Sequence, residues 1–174
     1  STQPEKHRLD VQGTFEADVA PDEAEIIIGV VTNATTAKDA QELNRVLSAK
    51  LNEALLASGL SSSEIGTSQY SVQPLKVYNY KLGIYDDYGY EVRNSVKVTT
   101  SKISMLGNVI DAASSAGANE INSIQFLLTD EKEAQVRTEF LGKAAANAKS
   151  KAGTIASAVG VKLLKPLSVS ESWG

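Results

Sequence analysis

The 174-residue chain has no cysteine, one histidine, one methionine and four prolines. Without cysteine there is no disulfide, no thiol nucleophile and no thiolate metal site. The lone histidine, His7, lies in a polar lead-in, STQPEKH at residues 1–7, which reads as disordered. A Ser-His-Asp triad or a histidine-rich metal site cannot be built from such a core. With Met105 as the only sulfur, direct peroxide chemistry has almost nothing to oxidise. No apolar run approaches the roughly 18–20 residues needed to span a bilayer, so no transmembrane segment is expected. The net charge of −4 argues against a broad basic face, and no nucleic-acid partner is expected. Phosphate-cradling motifs are missing too. No GxGxxG follows a strand, and Gly142-Lys143 lies mid-helix without the upstream glycine of a P-loop. No catalytic, metal or cofactor site is expected, and the chain reads as a non-enzyme.

What is present is an ordinary folding composition, 42% hydrophobic and 22% charged. It suits a single domain over 8–174, with a protruding hairpin at about 65–100. The longest periodic stretch runs from Asp130 to Gly160. Asp130 caps it, Glu133 completes a capping-box variant, and Gly160 ends it in a left-handed turn. Ala134, Leu141, Ala145, Ala148, Ala152, Ile155 and Val159 share one face, while Lys143, Asn147, Lys149, Ser150 and Lys151 fall outside it. An alanine face lets another backbone approach closely, as in a spine helix lying on a sheet.

Upstream, Arg8 to Val19 alternates like a half-buried strand. Pro21 marks a turn, and Glu23 to Thr32 (EAEIIIGVVT) is a β-branched, central strand, making a first hairpin. Thr36 with Asp39 opens a helix whose stripe is Ala40, Leu43, Leu47, Leu51, Ala54 and Leu55, ending at Gly59. Ile65 to Tyr80 is a long strand in which Pro74 demands an edge or a bulge. Residues 81–89 form the turn, and Tyr90 to Thr100 returns. Ile103 to Ala116 is a helix, Ile121 to Leu128 a strand, and Val161 to Ser170 a last strand with Pro166 as an edge signal. The order is strand-strand-helix, strand-strand-helix, strand-helix-strand. It indicates α+β with mainly antiparallel sheet, two hairpins and later strands packed by three helices.

Tyrosine is distributed unevenly. Tyr70, Tyr78, Tyr80, Tyr85, Tyr88 and Tyr90 are all six of the chain's tyrosines. Cross-strand aromatic pairs stiffen a long hairpin, each by about 0.2–1 kcal/mol. Exposed, the same tyrosines form an interface for a second copy or a protein partner. Carboxylates gather around Asp18–Glu25, at Asp86 and Asp87, and at Asp130–Glu133. Each group has a structural explanation in a turn or a helix N-terminus. None has EF-hand spacing. The competing reading is a hydrolase or small-molecule binder using carboxylates on the sheet face between the hairpins. Asn33-Ala34-Thr35 matches the N-glycosylation pattern, which arises often by chance.

Several stretches resemble the SIMPL-domain (YggE-like) family. They are VQGTFEADVAPDEAEIIIGVVT, ALLASGLSSSEIGTSQYSVQP, GYEVRNSVKVTT, NVIDAASSAGANEINSIQFLLTD and AAANAKSKAGTIASAVGV. Pro21-Asp22, Gly89-Tyr90 and Gly117-Ala118-Asn119 are the most specific pieces. The resemblance implies an α+β fold, export behind a signal peptide since removed, and a periplasmic, secreted or cell-surface location. It implies no established enzymatic activity, and members are linked to stress tolerance, antigenicity and oligomers. Members continue past the equivalent of Trp173 into a further strand, where this chain stops at Gly174.

Overall fold

In a computed structural model describing residues 7–173, the chain forms two compact units. One is Pro21–Leu128; the other joins the segment before it, up to Ala20, to the segment from Thr129 onward. Most of the expected lead-in lies outside the described residues; His7, its last residue, is exposed.

The Pro21–Leu128 unit is an antiparallel sheet with two helices. Strand β1 (Glu23–Ala34) pairs with β3 (Ile84–Thr100) from Ala24↔Thr100 to Ala34↔Tyr90. Strand β2 (Ile65–Asn79) lies outside β3, and the short β4 (Glu120–Ile121) and β5 (Gln125–Leu127) share the other side of β1. The expected strand at 121–128 is therefore two pieces. Asn119 extends the first of them with its side chain, donating to the Val31 carbonyl and accepting from the Val31 N–H, both at 2.8 Å.

Alternation along β1 sends Ile26, Ile28 and Val30 to one face. There they meet Leu51 and Leu55 of α1 (Ala37–Ala57) and Val109 and Ala113 of α2 (Leu106–Ser115). Thr36 caps α1, its hydroxyl accepting from the Asp39 N–H at 3.1 Å. The expected stripe of α1 is rotated: Leu43 is 51% exposed, and Asn44 is buried instead. Asn44 donates to the carbonyls of Val30 (2.9 Å) and Val92 (3.2 Å) and accepts from Ser48, whose hydroxyl accepts from Asn94. A polar side chain thus ties α1 to β1 and β3, with its hydrogen-bonding groups satisfied. Helix α2 starts one turn later than expected, because Ile103–Met105 form a 3₁₀ turn.

A second fastening joins the loops at the far end of α1. Glu64 accepts from Lys102 Nζ at 2.8 Å, from the Ser61 N–H at 3.1 Å and from the Thr100 hydroxyl. The Lys102 ammonium, then the Thr100 hydroxyl and the Ser61 donors, hold its carboxyl down to about 2.

In the other unit, α3 (Asp130–Val159) is capped by Thr129, one residue before the expected Asp130, and ends at Gly160 with φ of 73°. Residues 8–19 form no strand, and the expected first hairpin and strand-strand-helix repeat are absent. The segment instead packs along α3. A Cβ on Gly13 would sit 2.0 Å from the Ala144 carbonyl and 2.7 Å from Ala148 Cβ. The backbone that exploits the alanine face is therefore Gly13's own. Asn147, expected outside the stripe, accepts from the Thr14 N–H at 3.1 Å, and Lys151 Nζ donates to the Gln12 carbonyl at 2.9 Å. Phe15 meets Phe140 edge-on at 4.9 Å, and Trp173 lies against Phe140 at 6.2 Å with the Arg137 guanidinium 4.8 Å over its ring. Expected stripe residues Leu141, Ile155 and Val159 are exposed, and Val136 and Ala156 are buried in their place. Residues 161–170, expected as a strand, carry none. Leu164, Leu167 and Val169 are exposed there, and an alternating segment without a ladder partner has nothing to make it a strand.

Candidate functional site

The β2–β3 hairpin is longer than its sequence implied. Pairing continues past the last β1 partner, Ala34↔Tyr90, as far as Asn79↔Ile84. Residues beyond that point form a two-stranded ribbon. The turn is only residues 80–83, not 81–89. Asn79 builds it: its carbonyl accepts from the Gly83 N–H at 2.8 Å, and its side-chain oxygen accepts from the Lys81 and Leu82 N–H groups. Gly83 supplies the positive φ, 68°.

Pro74 lies on an edge strand and beside a register shift, satisfying both halves of the expectation. At that shift Tyr88 and Gly89 of β3 face only Leu75 of β2. Gly89 has φ of 91°, and a Cβ there would stand 2.2 Å from the Ala34 carbonyl. The Asp87 carboxylate accepts the Gly89 N–H at 2.9 Å, and Asp86 accepts from the Asn79 amide at 3.0 Å. Both aspartates therefore shape the hairpin. Among the described residues, no group of His, Cys, Asp or Glu is placed to hold a metal ion.

The six tyrosines do not form one patch. Tyr78 and Tyr85 are register partners with ring centroids 5.1 Å apart, and Tyr80 stacks edge-on against Tyr78 at 5.0 Å. All three are exposed, Tyr80 to 90%. Tyr88 is exposed beside the bulge. Tyr70 stands apart, opposite Asn94 and accepting from Gln41 of α1 at 3.4 Å. Tyr90 is half-buried where β1 ends. The structure adds Val77, Leu82 and Ile84, all exposed on the ribbon. The signal for Leu82 and Ile84 is the apolar pair in KLGIY, inside the stretch expected as turn.

The sheet face opposite the helices holds the carboxylates of the competing reading. Arg93 pairs with Glu91 at 3.4 Å and with Glu120, and Lys97 pairs with Glu25 at 3.1 Å. Gly29 makes the reach from β4 possible, since a Cβ there would lie 2.9 Å from Glu120 Oε2 and 2.8 Å from Ser95 Oγ. Glu91 and Glu120 flank a guanidinium rather than each other. Each of the two carboxylates is ion-paired to a different terminal nitrogen of the Arg93 guanidinium.

The chain is similar to the 26 kDa periplasmic immunogenic protein of Brucella melitensis, 29% identical over 98% of this chain and 68% of that protein. It is also similar to the uncharacterized protein YggE of Edwardsiella ictaluri (29%, covering 92% and 66%) and of Escherichia coli K12 (28%, covering 70% and 48%). Among solved structures, a Bacillus subtilis GlnK–ATP complex (14% identity, 60% and 84% covered) aligns at a TM-score of only 0.32. The model of one family, SIMPL, described as a protein of unknown function (DUF541), matches residues 9–174. With that match over nearly the whole chain, this protein belongs to the SIMPL family.

Proposed function

We propose that the chain is a non-enzymatic binding or assembly domain, and that its ribbon docks a second copy or a protein partner. The observation that carries this reading is the exposed stack of Tyr78, Tyr80 and Tyr85 on a hairpin that outreaches its sheet. Rigid, amphipathic rings at low entropic cost are what interfaces favour. Support against catalysis comes from the ion-paired carboxylates and the lone, exposed His7. The location is extracytoplasmic, in keeping with its periplasmic relatives.

Mass in solution, by light scattering at several concentrations, tests the assembly. A discrete oligomer is expected. Replacing Tyr78, Tyr80, Tyr85 and Tyr88 by serine should reduce it to monomer with an unchanged circular dichroism spectrum. An unchanged mass in that folded variant removes the reading.

A further inference from the structure

The outermost residues of the hairpin, 80–85, read Tyr-Lys-Leu-Gly-Ile-Tyr. Their exposure is unusual for so apolar a run: Tyr80 is 90%, Leu82 68% and Ile84 52% exposed. These side chains do not lie on one flat face. Tyr85 shares a face with its partner Tyr78, while the next pair outward, Asn79↔Ile84, points the other way. Leu82 sits on the turn itself. A flat protein surface could cover one side of such a tip, whereas a fluid apolar medium covers all of it.

Charge selects further. The only charged residue in 80–85 is Lys81. The first carboxylates, Asp86 and Asp87, come next along the strand and are engaged by the Asn79 amide and the Gly89 N–H. A second copy meeting it tip to tip would present the same cation, while a phosphate headgroup complements it. Tyrosines flanking aliphatic residues, with a lysine able to reach outward, match the boundary between headgroups and acyl chains.

We infer that residues 80–85 form a tip that seats in the headgroup layer of a phospholipid bilayer without crossing it. The inference rests on the hairpin being a binding element and names the partner of its tip. Near the membrane, Leu82 and Ile84 enter the acyl boundary, Tyr80 and Tyr85 stay at headgroup level, and Lys81 meets lipid phosphate. The net charge of −4 on the whole chain opposes a purely electrostatic attraction, so apolar seating dominates and added salt weakens binding little.

Flotation of the full chain with vesicles of phosphatidylcholine containing a minority of phosphatidylglycerol tests this. The chain should float with the vesicles. The Leu82→Asp, Ile84→Asp double variant should partition about tenfold more weakly or worse, with unchanged circular dichroism and unchanged mass in solution. In Leu82→Trp the emission added to that of Trp173 should move to shorter wavelength when vesicles are present. Failure of the parent chain to float, equal flotation of the double variant, or an unshifted Leu82→Trp emission each overturns the proposal. A double variant that loses oligomeric mass instead assigns the tip to a protein contact. The serine variant of Tyr78 and Tyr88, both outside residues 80–85, separates the two readings: loss of mass with retained flotation leaves the lipid tip standing alone.

Discussion

Glu64 is one side chain that ties its own turn, through Ser61, to the segment that carries Thr100 and Lys102. Its carboxyl is held near 2 in the folded protein, below the ordinary 4.5. A depressed folded value means the contribution is complete above the unfolded value, shrinks as pH falls below it, and is gone once pH passes through about 2. Glu64→Gln should therefore cost about 1–2 kcal/mol near neutral pH, and the gap from the parent chain should close as pH drops below about 4.5. Urea midpoints at a series of pH values measure it, and a gap that stays constant down to strong acid would contradict this role. Asn44 works differently. It has no charge, and its two strand carbonyls make it a buried rivet that hydrophobic periodicity could not identify. The apolar stripe named Leu43 because leucine is the better hydrophobe; the packed helix is turned so that the amide reaches the backbone.

Local signals read well for elements whose hydrogen bonds stay within themselves. Thr36 with Asp39, Gly59 and Gly160 mark helix ends where the structure has them. Pro74 correctly placed β2 on an edge, because a missing N–H is a property of one residue. Strands were harder to read, since a strand is a relation between two segments. Alternation at 8–19 implied a strand, but no strand forms there, and Gly13 and Phe15 are spent on α3 rather than on a ladder. The same ambiguity hid the length of the hairpin, where Asp86, Asp87 and Gly89 look like a turn yet belong to a bulged strand. The tyrosine cluster was legible in sequence, but its division into a stacked trio and outlying rings depended on register. At this scale Gly13→Leu should lift the 8–17 segment from α3, since no relaxation of a flexible side chain relieves a clash with the Ala144 carbonyl. Limited proteolysis should then cut near Gln12 at least several-fold faster than in the parent chain; unchanged cleavage would mean that the contact does not hold the segment.

At the scale of the molecule, the sheet, α1, α2 and their shared apolar cluster all lie within Pro21–Leu128. Every strand of the described sheet finds its partner inside that unit. The fragment 21–128 should therefore unfold cooperatively by itself, with a single urea transition seen alike by circular dichroism and tyrosine fluorescence. Non-coincident transitions, or none, would show that the flanking segments are needed to complete the core.

The long outer strand β2 carries a further consequence. A strand of this length at the rim of a sheet is a template on which identical chains could stack indefinitely. Here the register slips at Thr67/Gln69 and again at Pro74/Lys76, and the proline has no hydrogen to offer. No straight run of backbone longer than the stretch from Gln69 to Pro74 is left for a newcomer to copy. Neighbours that gather on this rim must recognise side chains, which can be saturated, and not the repeating main chain, which cannot. The irregularities that look like defects in the ladder thus separate a countable assembly from an open-ended fibre.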